Sequence, residues 1–156
     1  TKQLFPRLSD AEKKGPVTVA TLSNANLIGR QAMAVFRFRN DKLYEVGVLI
    51  NVDSTADNAQ MVEFVRVKDL LETAYGKSGT VSMPRYEGLG RDMTNVKLAT
   101  GNMAWRAFWE DAATKNKILL ELSGTNYKAH LKIFYTDPRQ GSSAERDIAE
   151  AHSSEL

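Results

Sequence analysis

Cysteine is absent from all 156 residues, which removes thiol nucleophiles, disulfide staples and every thiolate metal site. That absence fits an oxidising compartment in a protein that dispenses with disulfides, with a cytoplasmic setting as the alternative. Long apolar runs are missing too. The longest, Val46–Ile50, is strand-sized, whereas a membrane helix needs roughly 18 to 20 apolar residues, so no transmembrane segment is expected and the chain reads as soluble. Histidine is nearly absent: only His130 and His152 occur, and a metal site would have to be built on carboxylates. Asp53, Ser54, Asp57 and Asn58 have calcium-like oxygens, but the turn glycine and distal Glu of a calcium loop are lacking. They read as loop and helix-capping residues, and no metal or cofactor is expected.

Catalytic signatures are equally thin. No G-x-S-x-G elbow is present to activate a serine, and the neighbouring carboxylates Glu110 and Asp111 would point apart on a strand or sit at its turn. Gly88-Leu89-Gly90-Arg91 is a truncated glycine motif without a preceding strand or a clear following helix, so it reads as a loop rather than a phosphate cradle. Arg85 and Arg91 in that loop are candidates for clamping an anion. The net charge is +2, with eight Lys/Arg against four Asp/Glu in residues 1–50. So small an excess falls short of the clustered basic stripe of a nucleic-acid binder. The chain begins at Thr1 rather than Met, which suggests a mature or trimmed product from which any signal peptide or lipidated N-terminal cysteine has been removed.

What the chain does have is alternation. Ser9–Glu12 has the spacing of a capping box, although Gly15-Pro16 would stop its helix within about a turn. Val17–Leu22 alternates like a half-buried strand, and Ser23–Asn26 has turn chemistry. Met33–Ile50 reads as a hairpin about Asn40-Asp41-Lys42, with Phe36 and Phe38 on one face and Tyr44, Val46, Val48 and Ile50 sharing another. The clearest helix runs from about Asp57 to Tyr75, on the stripe Phe64, Val67, Leu70, Leu71 and Ala74, with Gly76 closing it. Residues 77–101 are irregular, with short strands expected near Thr80–Met83 and Val96–Ala99. Three strands follow, with one-face sets Met103, Trp105, Ala107 and Trp109; Ile118, Leu120 and Leu122; and Tyr127, Ala129, Leu131, Ile133 and Tyr135. Turns are expected at Ala113–Asn116 and Ser123–Asn126. Asp137-Pro138 ends the last strand, and Ser143–His152 is a candidate loose helix.

Several stretches together resemble a group of small, uncharacterised bacterial proteins that are often exported or lipid-anchored. They are Asp41–Val46, Leu70–Lys77, Trp109-Glu110-Asp111, Lys117–Tyr127 and Ile133-Phe134-Tyr135. The order of hairpin, helix and three-stranded meander is also similar to small lipoproteins of outer-membrane assembly and to inhibitor-type binding domains of bacteria. The resemblance implies an α+β envelope protein with no assigned catalytic residues.

The expected architecture is a single α+β domain over 1–156, with 1–16 and 139–156 as less ordered or helical ends. An antiparallel sheet of five or six strands packs on one main helix in two layers. The Trp105–Trp109 face is read as core, because paired aromatics supply large burial. Arg106, Phe108, Lys128, His130 and Lys132 then form the opposite, basic-aromatic face. The expected role is non-catalytic binding in the periplasm or cell envelope, through that face or the 77–101 loop, with another envelope protein, peptidoglycan or a small ligand as partner. Two alternatives stand beside it: a hydrolase pairing His130 with Glu121, and a weak nucleic-acid binder using Arg37, Arg39 and Lys42.

Overall fold

The structure, a computed structural model, describes residues 12–14, 16–27, 29–52 and 58–140. Strands β1 (Glu12–Lys14), β2 (Val17–Leu27), β3 (Arg30–Arg39) and β4 (Lys42–Ile50) form an antiparallel meander. Asn40 and Asp41 turn β3 into β4 at φ 47° and 61°. A two-residue turn with both centres left-handed matches the twist of paired strands, and Asn and Asp enter that region cheaply. Helix α1 (Ala59–Tyr75) follows, then β5 (Thr80–Ser82), a ribbon of β6 (Glu87–Gly88) and β7 (Arg91–Asp92), and a short helix α2 (Thr94–Ala99). Strands β8 (Trp105–Glu110), β9 (Lys117–Thr125) and β10 (Lys128–Thr136) make a second meander.

The two meanders join where β10 pairs with β4, from Leu131 opposite Ile50 to Thr136 opposite Glu45. The result is one eight-stranded sheet in the order β1-β2-β3-β4-β10-β9-β8-β5. Strict alternation decides its layers: Trp105, Ala107 and Trp109 are buried while Arg106, Phe108 and Glu110 are exposed. The buried set, with Ala32, Ala34, Val48, Ile50, Leu120, Leu122, Leu131 and Ile133, packs beneath Phe64, Val67 and Leu71 of α1 and Leu98 of α2. Phe64 meets Trp105 edge-on at 5.6 Å between ring centroids, a favoured aromatic geometry. Each indole finds a partner, Trp105 Nε1 donating to Pro84 O at 2.8 Å and Trp109 Nε1 to Gly76 O at 3.1 Å. Gly76, at φ 82°, ends α1 with its own N–H on Glu72 O. Among the described residues no helix is long and apolar enough to cross a membrane.

An antiparallel sheet backed by helix is thus present, but the expected count of five or six strands is too low. The main sheet has eight strands, a separate ribbon has two, and α2 joins α1. Ser23–Asn26 continues β2 past a register shift between Leu22 and Ala25, instead of turning. Val96–Ala99 is helical. The last hairpin turns at Asn126-Tyr127, later than Ser123–Asn126, so Tyr127 leaves the β10 stripe. A second shift falls between Arg37, which faces Glu45, and Phe38, which faces Leu43, and it breaks the alternation of β4 at Tyr44. Tyr44 accordingly packs with Val17 and Val19 in a small separate cluster. Glu12 opens β1, while the rest of the Ser9 capping box, Asp53, Ser54 and Asp57, and the Ser143–His152 helix lie outside the described residues.

Candidate interaction surface

The face of the sheet turned away from α1 is assembled by cross-strand pairing. Arg106 on β8 stands opposite Glu121 on β9, and Glu121 stands opposite Lys132 on β10. Glu121 therefore lies between two cations. Arg106 Nε donates to Glu121 Oε2 at 2.7 Å, Ser123 Oγ to Glu121 Oε1 at 2.8 Å, and Lys132 Nζ lies 3.9 Å from Oε1 and 3.4 Å from Ser123 Oγ. Partial burial raises the Glu121 carboxyl, and the hydrogen bonds from Arg106 and Ser123 with both cations outweigh it, leaving it below the ordinary Glu value. The expected basic surface is locally neutralised by this carboxylate.

Phe108 lies two residues along from Arg106 on the same face, exposed beside the cluster. Lys128 is exposed at the start of β10, opposite Thr125 and outside the Glu121 network. His130 is half-buried opposite Ser123. Its imidazole has no hydrogen bond or ion pair among the described residues, and the carboxylate proposed as its catalytic companion is held by Arg106, Ser123 and Lys132. The structure therefore does not join His130 and Glu121 into an acid–base pair. Arg37 of the basic hairpin is ion-paired to Glu45 across β3 and β4, and Arg39 is likewise engaged. Arg85 and Arg91 belong to the β6–β7 ribbon rather than to the sheet face. Arg85 pairs with Asp92 at 2.9 Å, and Arg91 follows the turn. Among the described residues no group of three or more His, Asp or Glu could hold a metal ion.

Beside the Glu121 cluster lies a feature that alternation alone did not show. Gly47 of β4 sits between Val35 of β3 and Phe134 of β10. With no side chain there, the surface dips into an open hollow of about 190 Å³ lined by Met33, Val35, Leu49 and Phe134. Phe134 leans over the glycine, its ring 3.4 Å from where a Cβ would stand. Arg37, Glu45 and Lys132 also line the hollow, and Lys132 links it to Glu121. The available sequence signal was a glycine inside a strand, a mark of close approach by another group. Met33, Val35, Leu49 and Phe134 are only half-buried, so one side of the sheet offers apolar side chains that no helix among the described residues covers. Comparison with protein-family profiles, with curated proteins and with solved structures found no match.

Proposed function

We propose that this protein is a non-catalytic binding module of the bacterial cell envelope, periplasmic or lipid-anchored, that receives an apolar side chain of an envelope protein on its outer sheet face. One observation carries the reading: the hollow over Gly47 joins through Lys132 to the Arg106–Glu121 pair. An apolar pocket with a charged rim fits the common division of labour in interfaces, burial for affinity and charge for register. Apolar walls favour a protein side chain over peptidoglycan, whose sugars present hydroxyls. The envelope assignment rests on the lack of cysteine and on the resemblance to exported bacterial proteins.

The test is site-specific cross-linking in cells. A photoreactive residue replacing Val35 should trap a discrete protein adduct, and Phe134→Asp in the same chain should abolish it. The same cross-linker replacing Asp69, exposed on α1, should trap none. Equal capture at the two positions, or none at Val35, would overturn the reading.

A further inference from the structure

Among the described residues the two most exposed large apolar side chains are Leu89 (97%) and Tyr127 (81%). Both stand on two-residue hairpin turns, and both hold left-handed backbone, at φ 55° and 62°. That conformation suits Gly, Asn or Asp and is costly for other side chains. Leu89 precedes Gly90, and Tyr127 follows Asn126. Neither side chain repays the strain by burial, so these turns carry residues that the fold itself does not favour. Such a local conflict points toward function.

The β9–β10 turn and the base of the β6–β7 ribbon lie at the same end of the sheet. Thr125 and Lys128 flank the β9–β10 turn, and Trp105 pairs with Leu122 just below it. Ser82 pairs with Arg106 at that end, and Pro84, directly before the ribbon, receives the Trp105 indole N–H. Helix α2, directly after the ribbon, lies against Gly124 through the carbonyls of Leu98 and Ala99.

The ribbon is also built to hold its tip. Tyr86 N donates to the buried Thr94 hydroxyl at 3.0 Å, and that hydroxyl donates to Asp92 Oδ1 at 2.6 Å. Arg85 clamps the other Asp92 oxygen, the Tyr86 ring lies over Gly88, and Lys97 sits 4.5 Å above the ring.

The ribbon, α2 and the β9–β10 turn carry Arg85, Arg91, Lys97 and Lys128, against Glu87 and the already paired Asp92. Arg91 and Lys128 have no ion pair among the described residues. Arg91 opens β7 two residues after Leu89, with Gly90 between them in the turn. A group inserted at the headgroup boundary reaches about 5–10 Å deep, so an apolar tip there leaves the cation among the lipid phosphates. Tyrosine is itself enriched at that level.

We propose that this end of the sheet is a membrane-contact surface, in which Leu89 and Tyr127 enter the interface of an anionic bilayer while Arg91 and Lys128 meet its headgroups. The contact is independent of the hollow over Gly47, which lies on the sheet face.

The test uses the intact chain and vesicles of two compositions: phosphatidylcholine alone, and equal parts phosphatidylcholine and phosphatidylglycerol. The protein adsorbs to the anionic vesicles at low ionic strength, more strongly than to the neutral ones. Leu89→Asn with Tyr127→Gly gives both turns residues they prefer, so folding is kept while adsorption falls by about tenfold or more. Arg91→Gln with Lys128→Gln lowers anionic adsorption several-fold. Lys115→Gln, in the turn at the opposite end of the sheet, leaves it unchanged. Absence of adsorption to anionic vesicles, or equal adsorption by the Leu89/Tyr127 variant at unchanged thermal midpoint, overturns the proposal; the first would point to a protein pocket as the acceptor of the tips.

Discussion

Two strand glycines show how differently one missing methyl group can matter. At Gly124 an added Cβ would lie 2.4 Å from Leu98 O, 2.7 Å from Ala99 O and 2.7 Å from Lys128 O. Three backbone carbonyls cannot swing aside, so the glycine is what allows α2 to lie against the β9–β10 hairpin. Gly124→Ala should therefore destabilise the protein by about 3 kcal/mol, at the upper end of overpacking costs. Denaturant titration checks this: the midpoint falls with the slope unchanged. At Gly47 the nearest atoms belong to the Phe134 ring, at 3.4 Å, and that ring can shift by a few tenths of an ångström. Gly47→Ala should stay within about 1 kcal/mol of the parent, because strand entropy gained offsets the tight contact. It narrows the hollow all the same, so it separates binding from folding. Cross-linking from Val35 should weaken in this variant while its stability stays within that margin.

At the scale of elements, the long β3–β4 hairpin, α1 and the short strand near Thr80 were legible, but the rest of the segment from 77 to 101 was not. The hairpin is written in alternation over ten and nine residues, and α1 in the recurrence of Phe64, Val67 and Leu71 along seventeen, although Leu70 and Ala74 of the expected stripe are exposed. In contrast, β6 and β7 have two residues each and α2 has six, too short for any period to register. What holds them is a set of side-chain bonds to backbone. Asp92 accepts from the Thr94 N–H at 3.0 Å and from its hydroxyl, while that hydroxyl accepts from Tyr86 N. Their distant pairing at spacings of two and eight has no periodic signature. Thr94 is fully buried, so Thr94→Val keeps its volume while leaving the Tyr86 N–H without a partner, a loss of about 1–3 kcal/mol. Because the network is local, amide exchange should quicken over residues 86–93 first. The central pairs of β9 and β10 keep their protection. Simultaneous loss of protection in both places would show that the ribbon and the sheet open as one unit.

For the whole molecule, alternation identified the inner faces correctly, from Trp105, Ala107 and Trp109 to Leu131 and Ile133, but not how the strands add up. Strand count depends on non-local pairing: β10 meets β4 some eighty residues away in sequence, and β5 is defined only by β8 beside it. The charge pattern misled in a related way, since a row of cations along β8 and β10 reads as basic until β9 places Glu121 between them. Such placements also set the response to acid. Among the described residues Glu63, Glu72, Asp92, Asp111, Glu121 and Asp137 all titrate below their ordinary values of 4.5 for Glu and 3.8 for Asp. For Glu63, only 3% exposed, the Arg66 hydrogen bond leads and burial opposes it, with Arg30 adding to the depression. For Asp111 the N–H groups of Ala113 and Thr114 lead. A carboxyl whose folded pKa lies below its unfolded one binds protons more readily in the unfolded chain, so its stabilisation is complete above the unfolded value and is lost as pH falls toward the folded one. Stability should consequently hold level from neutral pH down to about pH 5 and then fall through the ordinary carboxylate range. Denaturant midpoints measured between pH 7 and pH 3 test this directly. The Glu63→Gln and Glu121→Gln substitutions together should flatten the acid limb, since Arg30, Arg66, Arg106 and Lys132 then face neutral amides at every pH. A parent midpoint that stays constant over the whole range would mean that these carboxylates keep their partners in the unfolded chain as well.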